Sequence, residues 1–386
     1  MSTPSPDAHP HEDGFDGAAG GDGGGEVAGL TAVIPAGGSG TRLWPLSRQN
    51  SPKFLHDFLG TGRSLLQATV DRVRPLAGDR VMVVTGRRHA DAVRAQLPDL
   101  GAEDLLLEPS PRSSMPAVGW AAAVLERRDP EAVLGSFAAD HVIDDEAAFA
   151  ASLRQAVVAA RAGALVTLGI RPRYASTAFG YIELGEARPL PGAPDAHQVR
   201  SFVEKPEREV AQGYLEGGRH RWNAGIFVVR AATLLDLLSE EHPEMVRLLR
   251  LLAADPGQLE QVWGSLEAVA IDHAVAEPAA RSGHVTVVPA DLGWDDVGDF
   301  ASLATLLEER PEHGGVRVLG RSSDVVAQDS TGVVAAHGDR AVVVLGLDEV
   351  VVVDTPDALL VTTRERCQDV RGMVATLQQL GREDLT

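Results

Sequence analysis

The residues with the clearest chemical use stand near the start of the chain: Ala36-Gly37-Gly38-Ser39-Gly40-Thr41-Arg42. They follow Leu30-Thr31-Ala32-Val33-Ile34, a continuous apolar run that reads as a buried parallel strand. A loop with so little side-chain bulk can turn consecutive backbone N–H groups toward phosphate oxygens, and the dipole of a following helix adds to the attraction. No Gly-Lys-Ser/Thr follows, so the loop is not a Walker A motif. Leu43 stands where a dinucleotide-binding fingerprint would have its third glycine. Arg42 and Lys53 supply two positive groups near the same phosphates, and Pro45 and Pro52 stiffen the chain between them. For the glycines alone, a tight turn without a ligand is the competing explanation.

Lysine usage singles out two positions. Lys53 and Lys205 are the only lysines, and every other cationic side chain of fixed charge is Arg. A bias toward Arg explains the general absence but not the two places where Lys is kept. Lys205 lies in Phe202-Val203-Glu204-Lys205-Pro206, at the end of a strand-like run. Asp140, in Ala138-Ala139-Asp140-His141, follows another such run, at the position where α/β sheets place ligands. A carboxylate there suits either a hard cation such as Mg²⁺ or the cap of a turn.

These positions need a scaffold. An amphipathic stretch at 64–74, a strand-like run at 80–84, helix-like 89–97, apolar 105–107, helical 116–128 and strand-like 132–137 alternate as βα units. After the apolar run 164–168, the strand candidates 180–184, 199–204 and 224–229 are less regularly separated by helices, so the sheet is expected to become mixed. From about 316 to 362, short Val-rich runs broken by Asp, Gly and Pro predict a β-rich appendage, compatible with a few coils of a β-helix and closed by a helix over about 367–380. The expected fold is α/β: a Rossmann-like mixed, mainly parallel sheet with helices on both faces, plus a small β-rich C-terminal domain. Residues 1–29, rich in Gly, Asp, Pro and Ala and without Lys or Arg, read as a disordered tail. Residues 30–310 then form the catalytic domain and 311–386 the appendage.

Composition narrows the function. The net charge of −20 over 386 residues and a pI near 5.0 argue against a nucleic-acid binder, whose affinity comes from clustered Lys and Arg. The single cysteine, Cys367, cannot form an intramolecular disulfide, and no paired Cys/His spacing suggests structural zinc. The N-terminus lacks a basic region followed by an apolar one. The most apolar stretch, 341–353, is interrupted by Asp348 and Glu349, so no membrane span is expected. A cytoplasmic location fits.

The run from Ala36 to Ser47, containing Leu43-Trp44-Pro45-Leu46-Ser47, followed by Ser51-Pro52-Lys53, resembles the signature of the sugar-phosphate nucleotidylyltransferases, and its Leu-Trp-Pro-Leu-Ser form resembles the mannose-1-phosphate guanylyltransferases. The resemblance implies transfer of GMP from GTP to mannose 1-phosphate, giving GDP-mannose and pyrophosphate with Mg²⁺. It assigns Arg42 and Lys53 to catalysis and Ala36, Gly37, Gly38, Ser39, Gly40 and Thr41 to the nucleotide. Asp140 becomes one metal ligand, and Asp296, in Gly293-Trp294-Asp295-Asp296-Val297-Gly298, the second, with the adjacent Asp295 as the alternative. On the sugar side it points to Gly180, Glu204, Lys205, Asn223 and Gly225, with a hairpin turn as the competing explanation around Gly180 and Asn223.

The segment from Leu107 to Ala117 resembles a nucleotide-binding element that in guanylyltransferases reads Glu-Pro, Arg-Asn-Thr, Ala-Pro-Ala. It assigns Glu108, Arg112 and Ser114 to the nucleotide, although Ser113-Ser114-Met115 replaces Asn-Thr-Ala. Positioning and electrostatics would suffice, with no nucleophilic side chain or general base. The alternatives are another sugar-1-phosphate nucleotidylyltransferase, using glucose 1-phosphate with UTP, dTTP or ATP, and a non-catalytic regulatory subunit. Longer members add a cupin-type isomerase domain, for which this chain has no room, so a single activity is expected. The appendage would pack on the catalytic domain or mediate homo-oligomer formation.

Overall fold

The computed structural model of the protein describes residues 25–386. One sheet contains β1 (Leu30–Ala36), β2 (Val81–Gly86), β3 (Leu105–Glu108), β4 (Val133–Ser136), β5 (Leu165–Ile170), β6 (Tyr181–Ala187), β7 (His197–Val203), β8 (His220–Arg230) and β9 (Val285–Ala290). Their order is β3-β2-β1-β4-β8-β5-β9-β7-β6, and the start of β8 also pairs with β6. Pairings among β3, β2, β1 and β4, and between β5 and β9, are parallel. Every other pairing in this sheet is antiparallel, so β8, lying between β4 and β5, and β7, lying between β9 and β6, run against the other strands.

The near-continuous apolar runs of the inner strands follow from cover on both faces. Along β1, Ala32 and Ile34 face one core with Leu66 and Val70 of the helix Leu65–Ala77 and with Phe149 and Leu153 of Glu146–Arg161. Val33 faces the opposite core, built from the helices Ser114–Arg128, Ala231–Glu241 and Pro243–Ala254. Alternation along one strand thus fills two layers.

Most of the expected N-terminal tail, residues 1–24, lies outside the described residues. Residues 25–29 differ from that expectation, because they are held against the fold. Val27 is buried and donates its N–H to Leu76 O at 2.7 Å, while Arg80 pairs with Glu26 at 2.5 Å and donates to the carbonyls of Val27 and Leu30. One apolar residue and a few backbone bonds do this, which composition averaged over the whole segment does not reveal.

The C-terminal residues coil. β10 (Val316–Gly320), β12 (Gly332–Ala336) and β14 (Val350–Asp354) stack in parallel, as do β11 (Val325–Gln328) and β13 (Val342–Leu345), while β15 (Leu359–Thr363) runs antiparallel to β14. Valines on successive rungs, among them Val316, Val334 and Val352, fill the coil. A second cluster joins Val333, Val351, Val353 and Val370 to Phe300 and Leu303 and to Leu43, Trp44 and Phe58 beside the glycine-rich loop. The C-terminal coil therefore packs on the preceding residues beside the glycine-rich loop.

Candidate active site

Parallel register brings the first group of residues to one edge. Ala36 is level with Thr85 and Gly86 with Glu108, so the glycine-rich segment and Glu108 leave the same carboxyl edge of the sheet. Thr85 Oγ1 donates to Ala36 O at 2.7 Å and fixes the start of the loop. The helix expected to lend its dipole to the loop is only a three-residue 3-10 turn, Thr41–Leu43. Pro45 and the turns that follow leave no room for a longer one, so fixed cations supply the charge there.

Gly40 has φ near +62°, and a Cβ there would lie 2.8 Å from Ser47 Oγ and 3.0 Å from Lys53 Cβ. Only glycine lets the Lys53 side chain cross the loop. Lys53 Nζ meets Asp140 Oδ2 at 2.9 Å and donates to Asp296 O at 2.7 Å. The strand-end loops bearing the two aspartates are themselves joined: Val142 N donates to Asp295 O at 2.9 Å, and Asp295 N to Val142 O at 3.0 Å. One ammonium and one isolated bridge thus bring together residues about 156 positions apart along the chain.

The adjacent acids divide their tasks. Asp295 is buried and accepts the Val297 N–H at 2.8 Å and the Ser302 hydroxyl, and Asp299 caps the helix Phe300–Leu306 through the N–H groups of Ala301 and Ser302. Among the described residues, the Asp296 carboxylate makes no such turn bond. It is pushed up to about 6, by burial and by the charges of Asp295 and Asp140, against the opposing pull of Lys53 and Arg42. Two crowded carboxylates that repel one another suit a cation. With only oxygen donors the fitting cation is hard, and two protein ligands would leave its remaining positions to phosphate oxygens. Among the described residues no group of three or more His, Cys, Asp or Glu side chains forms a self-sufficient metal site.

His141, next to Asp140, is held down to about 4, chiefly by burial, and its neutral Nδ1 accepts from Trp294 Nε1 at 3.3 Å. The contact ties the Asp140 loop to the Asp296 loop, a role the sequence reading did not assign to either residue.

The sugar-side candidates sit on strands or at their ends. Asn223 and Gly225 lie within β8, at an irregularity in its pairing with β5 where Gly225 has φ near +67°, so no hairpin turn explains them. Asn223 N donates to Gly180 O at 2.8 Å, and a Cβ on Gly180 would fall 2.5 Å from Glu204 Oε2. Gly180, Glu204 and Asn223 therefore converge. Lys205 Nζ pairs with Glu204 Oε1 at 2.5 Å from a largely exposed side chain. Asn223 Oδ1 accepts from Thr167 Oγ1 at 2.7 Å, and its Nδ2 donates to Asp272 Oδ1 at 2.8 Å.

Asp272 escaped the sequence reading. It opens a π-helical turn, Asp272–Ala276, and its carboxyl is pushed up to about 6 by burial and then by the neighbouring Glu204 charge. An acid amid Val269-Ala270-Ile271 and Ala274-Val275-Ala276 was the available signal.

On the other flank, Arg112 donates to Leu266 O at 3.0 Å and Ser114 Oγ accepts the Ile271 N–H at 3.0 Å, so both side chains brace the 266–271 segment. Glu108 is different: it is buried, its Oε1 has no protein partner among the described residues, and burial pushes its carboxyl up to about 7.

The glycine-rich loop, Lys53, Arg42 and two neighbouring aspartates thus gather at the carboxyl edge of the mixed sheet, with Gly180, Glu204 and Asn223 converging alongside. The family model described as nucleotidyl transferase matches residues 31–312, and one described as the MannoseP isomerase/GMP-like beta-helix domain matches 323–377. The chain belongs to the nucleotidyl transferase family of enzymes. It is 38% identical over 363 residues to the xanthan biosynthesis protein XanB of Xanthomonas campestris pv. campestris (strain B100), covering 92% of this chain and 74% of that protein. It is 35% identical over 370 residues to the mannose-1-phosphate guanylyltransferase of Escherichia coli (strain K12), covering 92% and 75%. A crystal structure described as mannose-1-phosphate geranyltransferase from Thermus thermophilus superposes with a TM-score of 0.79 at 34% identity, over 90% of this chain and 99% of that one. Enzymes of this family generally use a divalent metal. Among the described residues no helix is long and apolar enough to cross a membrane.

Proposed function

We propose that the protein transfers GMP from GTP to mannose 1-phosphate with Mg²⁺, releasing pyrophosphate, as a cytoplasmic enzyme. The catalytic unit is residues 30–310. The observation that carries this reading is Lys53, which reaches from the signature segment to Asp140 and to the backbone of Asp296 and so joins triphosphate site to metal site.

The reaction brings two anions together, and their repulsion is the main obstacle. The backbone of residues 36–41 holds the triphosphate, while Arg42 and Lys53 stabilise the charge that builds on departing pyrophosphate. Asp140 and Asp296 would hold Mg²⁺, which would supply positive charge to offset that of the reacting phosphates. Glu204 and Asn223 accept and donate hydrogen bonds to sugar hydroxyls, and the exposed Lys205 meets the sugar phosphate. A phosphate monoester is largely a dianion near neutral pH, so no side chain has to remove its proton.

Glu108 favours guanine. Its Oε1 has no protein partner among the described residues, a carboxylate can accept from two adjacent donors, and guanine alone among the common bases offers a ring N–H beside an amino group. Adenine would turn a ring lone pair toward the same carboxylate. A site built to accept such donors strongly rejects bases that lack them.

The test is a matrix of each nucleoside triphosphate with mannose or glucose 1-phosphate, purified protein and Mg²⁺, read as pyrophosphate. GTP with mannose 1-phosphate is expected to be the most efficient pair. Preference for another base would overturn the guanine assignment, and the absence of pyrophosphate from every pair would overturn the reaction.

A further inference from the structure

The role given to Arg42 leaves a physical question, since a long side chain on a single 3-10 turn has many rotamers and loses activity if it wanders. Among the described residues, its hydrogen-bond partner comes from the appendage and not from the catalytic sheet. Arg42 Nη1 donates to Gln368 Oε1 at 3.2 Å, and Gln368 Nε2 donates to Asp299 Oδ2. The amide orientation is fixed by its neighbours, because the guanidinium needs the oxygen and the carboxylate needs the NH₂. Asp299 is itself anchored, its Oδ1 capping the helix Phe300–Leu306 just after the Asp296 loop.

Two further contacts hold the same stretch of chain. Arg48 forms a bidentate pair with Asp357 at 2.6 and 2.7 Å, and Trp44 Nε1 donates to Leu385 O at 2.6 Å. Leu43 and Trp44 are buried in one cluster with Val351, Val370 and Leu385. The backbone on both sides of Arg42 is therefore seated on the C-terminal coil and its closing helix. The Gln368 contact is exposed, and exposed contacts to charged groups add little to folding stability. Its effect is instead to restrict where the guanidinium points, and the Arg42 charge is felt at Asp296.

We propose that Gln368 is a positioning residue for catalysis, through which the C-terminal unit aims Arg42 at the phosphates. The proposal rests on the role assigned to Arg42 above. In its absence the guanidinium samples other rotamers, and transition-state stabilisation falls while ground-state GTP binding, carried mainly by the loop backbone, is kept.

A double-mutant cycle on the full-length chain separates positioning from mere packing. Gln368→Ala is expected to lower kcat about fivefold to tenfold, with little change in the KM for GTP or in Tm. Arg42→Ala is expected to cost more, and adding Gln368→Ala to it is expected to cost nothing further. Full kcat in Gln368→Ala, or an equal fold-loss with and without Arg42, would overturn the proposal while leaving the reaction intact. Wild-type turnover in Arg42→Ala would overturn the role of Arg42 and the proposal with it.

Discussion

The two halves of the proposed site, one for the sugar and one for the phosphates and metal, are positioned in opposite ways. The sugar half is written into strand pairing: Gly180, Glu204 and Asn223 flank or lie within β6, β7 and β8, and the 2.8 Å bond from Asn223 N to Gly180 O continues the ladder. The phosphate and metal half lies in loops and depends on side chains from far away, with Lys53 crossing to Asp140 and Asp296 and Arg42 meeting Gln368. A strand-borne site inherits the sheet's rigidity, whereas a loop-borne site must be braced. Distant substitutions should therefore impair phosphate chemistry more readily than sugar recognition.

The largest effects test the braced half. Removing a charged or ligating group at the reacting phosphates typically costs about 10²–10³ in rate, by analogy with oxyanion donors. Asp140→Ala and Lys53→Ala are each expected to lose kcat on that scale, with far-UV circular dichroism unchanged. Because Lys53 and Asp140 touch at 2.9 Å, their losses should combine to less than the product. Near-normal turnover in either single variant would remove the basis for placing the chemistry here.

An intermediate effect belongs to Glu108. Replacing its carboxylate by an amide trades one acceptor for a donor, and Glu108→Gln is expected to raise the KM for GTP about 30-fold through loss of a charge-assisted bond. The pH dependence has a definite sign. The folded carboxyl sits at about 7, so it is progressively protonated below that pH and the KM for GTP should rise as the solution is acidified. Stability moves the other way, because an acid raised above 4.5 by burial binds its proton more tightly in the folded chain. That contribution is full below about 4.5 and lost as pH rises through about 7. At pH 8, Glu108→Gln should therefore be more stable than wild type, by on the order of 2 kcal/mol. A GTP KM that ignores both the substitution and the pH would mean that the base binds elsewhere.

The same contrast explains what the sequence could reveal. The alternating sheet, its mixed second half and the Val-rich coil are periodic features with many residues behind each, and all are found in the fold. Long local motifs such as 36–47 and 202–206 were legible because their residue types are rare in combination. What escaped was non-local or single. Val27 is the one apolar anchor of residues 25–29, helped by Arg80 from far along the chain, and Trp294 meets His141 across about 150 positions. Ser113 could be recognised as a departure from the asparagine of the segment it resembles, but not as a residue with φ near +64° and ψ near −167°, a region that glycine alone adopts easily. Arg42 was identified by its motif, whereas its partner Gln368 lies in an unremarkable polar stretch that only packing makes relevant.

Asp272 gives the smallest expected effect and the sharpest test of the strand-borne half. Its Oδ1 accepts from Asn223 Nδ2 at 2.8 Å, and in the proposed site its second oxygen would accept from a sugar hydroxyl. In Asp272→Asn, the amide oxygen can still serve Asn223 while an NH₂ replaces the second oxygen, so the brace survives and only the outward acceptor changes. Burial together with the Glu204 charge also makes a neutral side chain easier to accommodate there. The KM for mannose 1-phosphate should rise about fivefold, the scale of one neutral hydrogen bond, while the KM for GTP and Tm stay near their wild-type values. An unchanged sugar-phosphate KM would make Asp272 a support for Asn223 alone. A rise shared equally by GTP would mean that the halves are coupled, and that the strands do not isolate sugar recognition from the loops beside them.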